Sequence, residues 1–373
     1  MTSSDFGHGG DIYAKARALR TSPERLLDLS GNASAFARPL TGALVDGTPY
    51  PFAHYPDLEA ADLTRAIAAH EGTDATRCLT GNGGAELIRL AIQVLAPRKV
   101  LLLGPIFSEY AATCALFGIP CETISTRVEN RFDISAREME KIRISDADML
   151  ILCTPNNPTG TTYENIDLLL GHIRTPRILA DLSYREFLHG TEDYRANSYR
   201  AYLEKVQDGV KVFTLHSFTK FFCCPGIRLG YILGEAKAIR RMAALQPPWS
   251  VSPFAQVMGI RFLENIEEYR QTLPALRKAV LNLGRDLRRM DFLDPDRVTE
   301  GPGFLCCGLR PPLTAKAAAD FMLKRRILIR DCDNISGMPG GYVRVRAGRE
   351  EETAELLAAF KTFSLALPGQ AMA

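Results

Sequence analysis

Val212-Phe213-Thr214-Leu215-His216-Ser217-Phe218-Thr219-Lys220 and, a few residues on, Pro225-Gly226-Ile227-Arg228-Leu229-Gly230-Tyr231 set an apolar run, a lysine and an arginine close together. The run 212–218 is strand-like, and Lys220 stands just past it. A lysine that is to form a Schiff base needs a dry, fixed position, because burial favours the neutral amine. The hydroxyls of Ser217 and Thr219, with glycine-flanked Arg228, suit an anion, a phosphate above all. A lysine and a phosphate cup at one strand end point to pyridoxal phosphate. Taken alone, the motif also fits a surface lysine at a strand end, and the motifs around it decide against that.

Outward from this stretch, apolar strand-like runs at 100–103, 149–153, 178–180, 212–218 and 231–233 alternate with helical patterns at 84–95, 108–117, 166–173 and 254–265. Such alternation predicts an α/β fold with a mostly parallel sheet covered on both faces. From 266 onward the pattern changes. A long helical stretch (266–290) precedes strand-like 303–309, helical 314–324, strand-like 327–330 and 342–346, and helical 350–363, which predicts a smaller α+β unit. A chain of 373 residues exceeds one ordinary core. The expected division is an N-terminal arm with part of the small domain over 1–45, a large α/β domain over 46–250 and a small α+β domain over 251–373. The residues up to about Ser34 are too few for a domain and are expected to pack on the C-terminal unit or on a neighbouring subunit.

The polar motifs fall where such a sheet binds ligands. Gly104-Pro105-Ile106-Phe107, Thr154-Pro155-Asn156-Asn157-Pro158-Thr159-Gly160, Asp181 and Ser217 to Lys220 each follow or end a predicted strand, at its carboxyl end. Gly81-Asn82-Gly83-Gly84 opens a helix, and its backbone N–H groups can cradle a phosphate; a plain helix entry is the simpler alternative. Asp181, ending a buried strand, needs a cationic partner. A protonated ring nitrogen would serve and would make the ring a better electron sink; a structural ion pair would also satisfy the carboxylate. Tyr184 and Asn157 can bond the ring's phenolic oxygen, and Phe107 offers a face for stacking, although each fits ordinary packing or turn chemistry as well. Arg344 and Arg346 share one face of a strand and suit a carboxylate, with a solvated strand face as the alternative. His8 lies in a glycine-flanked N-terminal loop.

The formal net charge of +2 gives no reason to expect nucleic acid or a membrane surface as partner. The polar start, Met1-Thr2-Ser3-Ser4-Asp5, lacks a signal-peptide pattern, and a cytoplasmic location is expected. Nine cysteines show no CxxC spacing, so they are expected reduced, as apolar fillers, with no metal site.

Cys153-Thr154-Pro155-Asn156-Asn157-Pro158-Thr159-Gly160, Asp181 with Tyr184, Ser217-x-Thr219-Lys220, Arg228 and Arg344 occur in the order seen in a known family. Over essentially its whole length the chain resembles fold-type I pyridoxal-phosphate enzymes of the class I/II aminotransferase group. Within that group it is similar to the threonine-phosphate decarboxylases of cobalamin biosynthesis, more than to the histidinol-phosphate aminotransferases. The similarity lies in His8-Gly9-Gly10-Asp11-Ile12, Leu27-Asp28-Leu29-Ser30-Gly31-Asn32, Lys220-Phe221-Phe222, Pro248-Trp249-Ser250-Val251 and Ile327-Leu328-Ile329-Arg330-Asp331-Cys332. It departs from the family at Leu182-Ser183, where Glu-Ala is usual, and at Ala33-Ser34-Ala35-Phe36, where a proline-containing turn is common.

The resemblance implies that Lys220 carries the cofactor and protonates Cα. It implies that Asp181 partners the ring nitrogen, Asn157 and Tyr184 the ring oxygen, and that Phe107 stacks. Asn82, Gly83, Gly84, Ser217, Thr219 and Arg228 would form the phosphate cup. Tyr55 would reach the cofactor phosphate of a partner subunit, implying a homodimer with shared sites. Arg344 and Asn32 would hold the substrate carboxylate, and His8 and Arg330 the substrate phosphate. The implied reaction is decarboxylation of L-threonine O-3-phosphate, or of L-serine O-phosphate. Transamination of histidinol phosphate and a non-catalytic binding protein on the same fold are the alternatives.

Overall fold

The computed structural model describes residues 9–49 and 53–366. Among the described residues, thirteen strands run in chain order: β1 (Leu27–Asp28), β2 (Cys78–Asn82), β3 (Val100–Gly104), β4 (Cys121–Ser125), β5 (Met149–Cys153), β6 (Arg177–Asp181), β7 (Lys211–Ser217), β8 (Leu229–Leu233), β9 (Leu293–Glu300), β10 (Phe304–Leu309), β11 (Ile327–Leu328), β12 (Arg330–Asp331) and β13 (Tyr342–Arg346). Seven of them form one sheet in the order β2-β8-β7-β6-β5-β3-β4. Its pairings are parallel from β7 to β4, and β8 alone runs antiparallel to both of its neighbours.

The apolar runs that marked these strands are continuous because both faces are covered. The pleat divides them between two cores. Leu102, Ile151, Leu179 and Phe213 pack with helices Gly83–Leu95 and Ala236–Leu245. Leu101, Leu150, Ile178 and Val212 pack on the other face with helices Ala61–Glu71, Ile166–His172 and Pro253–Glu264. Parallel pairing puts the carboxyl ends of β3, β5, β6 and β7 on one edge, as their following motifs require.

A second sheet, β12-β13-β10-β9, is antiparallel throughout. The segment read as one strand over 327–330 is two. Ile327 and Leu328 pair in parallel with β1, then Ile329 carries the chain across, and Arg330 pairs with Arg344. The β1–β11 pair, with Ala16 packed against Leu26 and Leu328, fastens the N-terminal segment to the C-terminal unit, the first of the two packings expected for it.

The helix expected over 266–290 breaks into Ile266–Arg270 and Leu273–Leu287. Pro274 is the reason: it lacks an N–H and fits the first turn of a helix better than an interior. β2, β4 and β9 were not foreseen. β2 carries Gly81, β4 is a half-exposed edge, and β9 contains Pro295 and alternating charges at the edge of its sheet. Cys121 is exposed, Cys223 is half-buried and the remaining seven cysteines are buried; none is bridged. No helix among the described residues is long and apolar enough to cross a membrane.

Candidate active site

The shared carboxyl edge of β3, β5, β6 and β7 faces β13, and two joined cavities open between them. The inner one, about 130 Å³, is lined by Gly84, Ala85, Phe107, Asn157, Asp181, Tyr184, Ser217, Thr219, Lys220 and Arg228, among others. The outer one, about 320 Å³, adds Gly9, Ser30, Asn32, Arg330 and Arg344. Phe107, Asn157, Lys220 and Arg228 line both.

Each polar group is placed by the element that precedes it. β7 ends at Ser217, whose Oγ accepts the Thr219 N–H at 3.3 Å and caps the short helix Phe218–Phe221 that carries Lys220. The Ser217 and Thr219 hydroxyls lie 2.7 Å apart. Burial pulls the Lys220 ammonium down to about 8, and the charges of Arg344 and Arg228 add to the shift. Arg228 follows the turn Pro225–Ile227 in a left-handed conformation (φ 54°). Gly83 opposes it at φ 75°, and a Cβ there would stand 2.5 Å from Arg228 Nη2. The turn before the helix is therefore a cradle shaped around the guanidinium, which only glycine leaves open.

Asp181 is buried at the end of β6. Its Oδ2 accepts the Tyr110 hydroxyl at 2.7 Å and its Oδ1 the Ser183 N–H at 2.9 Å. Tyr184 Oη accepts the Asn32 side-chain N–H at 2.7 Å, and burial pushes its phenol well up, so its own proton remains to be donated. Arg344 donates to Asn157 Oδ1 and, at 2.8 Å, to the Ser30 carbonyl. Arg344 Nε and Asn32 Oδ1 are buried without a hydrogen-bond partner among the described residues. Both side chains line the outer cavity, so one unsatisfied donor and one unsatisfied acceptor lie just behind its wall.

Arg346 is buried as well, not on a solvated face. It binds Glu352 at 3.2 Å and the Asp28 carbonyl at 3.1 Å, a structural pair that leaves Arg344 as the arginine of the cleft. Arg330 reaches the outer cavity while donating to Asn334 Oδ1 at 2.6 Å. The Asn82 N–H is already taken by Glu86 Oε2 at 2.7 Å, and Asn82 and Gly83 line neither cavity. Tyr55 is exposed, stacks on Trp249 at 4.6 Å and lines neither cavity. His8 lies outside the described residues.

The profile of the aminotransferase class I and II family matches residues 34–360. The chain is 30% identical to threonine-phosphate decarboxylase of Salmonella typhimurium, over 97% of each chain. It is 26% identical to histidinol-phosphate aminotransferase of Pyrococcus furiosus, over 84% of each. The solved histidinol-phosphate aminotransferase of Sinorhizobium meliloti in complex with pyridoxal-5'-phosphate superposes with a TM-score of 0.74, covering 94% of this chain and 95% of that one at 18% identity. The chain belongs to the class I and II aminotransferase family.

Members of this family are pyridoxal-phosphate enzymes of fold type I, and the cofactor here is pyridoxal phosphate. The residues present fit it. The inner cavity offers an amine that loses its proton near neutrality, a buried carboxylate, a buried phenol donor, an aromatic face, two hydroxyls and a guanidinium in a glycine cradle. Among the described residues, no group of three or more His, Cys, Asp or Glu side chains could hold a metal ion. Sequence reasoning missed two contributors in this aminotransferase-family chain. Tyr110 looked like one more apolar residue of its helix. Glu86, which also receives Gln246 at 3.1 Å and so fixes the glycine turn, could have been suspected from its place in the first turn of a helix.

Proposed function

We propose that this chain decarboxylates an O-phosphorylated amino acid, L-threonine O-3-phosphate or L-serine O-phosphate, in cobamide biosynthesis. The observation that carries the proposal is the match to a threonine-phosphate decarboxylase over 97% of both chains. The cleft supports it: of the three arginines that line the outer cavity, Arg228 serves the cofactor phosphate, and Arg344 and Arg330 suit a substrate with a carboxylate at one end and a phosphate at the other.

Pyridoxal phosphate, when bound, takes up the electrons of the bond broken at Cα. The protein's part is placement and proton control. Ser217, Thr219, Arg228 and the amide of Gly84 hold the cofactor phosphate. Phe107 covers one face of the ring, Asp181 meets its nitrogen, and Tyr184 and Asn157 meet its oxygen. Arg344 and the Asn32 side-chain amide N–H bind the carboxylate as donors, the unsatisfied Arg344 Nε giving it a fixed direction. Arg330, with His8, binds the phosphate. Lys220, still protonated in part at physiological pH, delivers a proton from Nζ to Cα once carbon dioxide has left and is left as the neutral amine. Tyr55, exposed and stacked on Trp249, serves the site of a second copy in a homodimer.

One assay panel tests this. O-phospho-threonine should yield carbon dioxide and aminopropanol phosphate. Histidinol phosphate with 2-oxoglutarate should yield no glutamate; glutamate formation without carbon dioxide release would assign the chain to transamination instead. O-phospho-serine belongs in the panel, because a single methyl is worth only about 1–3 kcal/mol in a pocket. Purified protein without a cofactor absorbance band would point to a non-catalytic binder.

A further inference from the structure

Tyr110 has no part in the assignments above, yet it touches two of the groups they depend on. It lies in the first turn of helix Glu109–Leu116, completely buried, one helical turn after Phe107. Its hydroxyl donates to Asp181 Oδ2 at 2.7 Å. Its ring meets that of Phe107 edge-on, with centroids 6.4 Å apart and planes at 87°. We infer that Tyr110 is a positioning residue for the cofactor ring: its phenol fixes the Asp181 carboxylate while its ring braces Phe107, so one side chain sets both the nitrogen edge and one face of the inner cavity. This rests on the roles proposed for Asp181 and Phe107.

The carboxylate geometry carries the argument. Ser183 N–H holds Oδ1 from the turn after β6, and Tyr110 holds Oδ2 from a helix on another segment. With a donor on each oxygen, the carboxylate cannot rotate without breaking a bond. Its remaining lone pairs are thereby held in a fixed direction, free to accept, and a supporting contact of this kind is what holds a catalytic group in a productive geometry. The other ionisable groups near Asp181 are Cys153 of β5, Tyr184 and Lys220. Burial, then Asp181, pushes the Tyr110 phenol well above its usual range, so it stays a donor throughout the working pH range.

The test is a double-mutant cycle on the holoenzyme, read as the cofactor dissociation constant and the absorbance maximum of the bound cofactor. Tyr110→Phe keeps the ring against Phe107 and removes only the hydroxyl. It should weaken cofactor binding about tenfold and shift the absorbance. Asp181→Asn should weaken it too, and Asp181→Asn/Tyr110→Phe should bind no worse than Asp181→Asn alone, because the phenol acts through the carboxylate. Tyr202→Phe, at another fully buried tyrosine, should change neither readout. Wild-type affinity in Tyr110→Phe, or losses that multiply in the double variant, would overturn the inference. If Asp181→Asn itself behaves as wild type, the role of Asp181 fails and not merely that of Tyr110.

Discussion

Lys220 illustrates how a residue acquires chemistry from its surroundings. An exposed lysine is protonated at neutral pH. Here burial and two guanidiniums bring the amine to about 8, where the role proposed for it, to attack and to return a proton, is served. Lys220→Ala should leave the fold intact and lower turnover by at least three orders of magnitude, and borohydride should no longer fix the cofactor to the chain. Turnover within tenfold of wild type would remove Lys220 from its role. Arg330 is proposed as a different kind of residue, one that binds but does not react. If it grips the substrate phosphate equally before and during reaction, Arg330→Ala should raise KM and spare kcat. A lost charged hydrogen bond costs roughly 1.5–3 kcal/mol, about 10- to 150-fold in KM. Unphosphorylated threonine offers the guanidinium nothing, so the penalty should largely vanish with it. An equal loss on both substrates would show that Arg330 serves the fold or the carboxylate.

At the scale of elements, the parts legible in the sequence were those governed by local rules. Strands buried on both faces read as apolar runs, and the polar motifs after β3, β5, β6 and β7 fell on one edge because parallel pairing leaves no alternative. What stayed hidden depends on contacts distant in sequence. β9 is a strand because β10 lies beside it, despite Pro295. Arg344 and Arg346 are indistinguishable along the chain, and only Glu352, from the next helix, claims one of them. The hydrogen bond from Tyr110 to Asp181 joins two segments whose proximity no local pattern announces. The loop after β5 is another long-range contact. Its Gly160 (φ 80°) would place a Cβ 2.3 Å from the Gly301 Cα, backbone against backbone, where the turn between β9 and β10 comes across. The nearby Thr299 hydroxyl donates to the Thr159 carbonyl at 2.6 Å. Gly160→Ala should therefore force the two sheets apart and cost about 2 kcal/mol of stability. Asn157 and Arg344 face each other across that junction, so KM should rise with it. A variant as stable as wild type in urea would show that the junction yields freely.

The whole molecule depends on a buried charge network behind the cleft. Glu71 accepts Arg185 at 2.8 Å and the Tyr231 hydroxyl at 2.5 Å. Glu186 binds Arg270 and the Tyr194 hydroxyl at 3.1 and 3.0 Å. These contacts join helix Ala61–Glu71, β8, the turn after Tyr184 and helix Ile266–Arg270, so their loss should be felt by the entire fold. Burial raises the Glu186 carboxyl, but His70, Arg185 and Arg270 outweigh it and hold the group at about 2. His216, stacked on Tyr231 with ring centroids 4.5 Å apart, is pulled down to about 4, by burial first; Arg185 and His70 add to the shift, and Glu71 and Glu186 oppose it. The signs follow from proton counting. An unfolded chain protonates this imidazole below its ordinary 6.5, whereas the folded chain waits until about 4, so acid favours unfolding through that interval. The shift is worth on the order of 3 kcal/mol. Glu186 adds to the loss only below its ordinary 4.5. The interval from 6.5 to 4.5 therefore belongs to histidines: to His216 above all, and to the half-buried His189, which burial and Arg270 also pull below 6.5. His216→Phe keeps an aromatic ring against Tyr231 and removes the titration. At fixed protein concentration and saturating cofactor, urea midpoints of the wild type should fall steadily as pH drops from 6.5 to 4.5. Those of His216→Phe should fall much less there, by the part His189 still contributes, and steepen only below it. Parallel declines for the two proteins would mean that some other group carries the acid sensitivity of this fold.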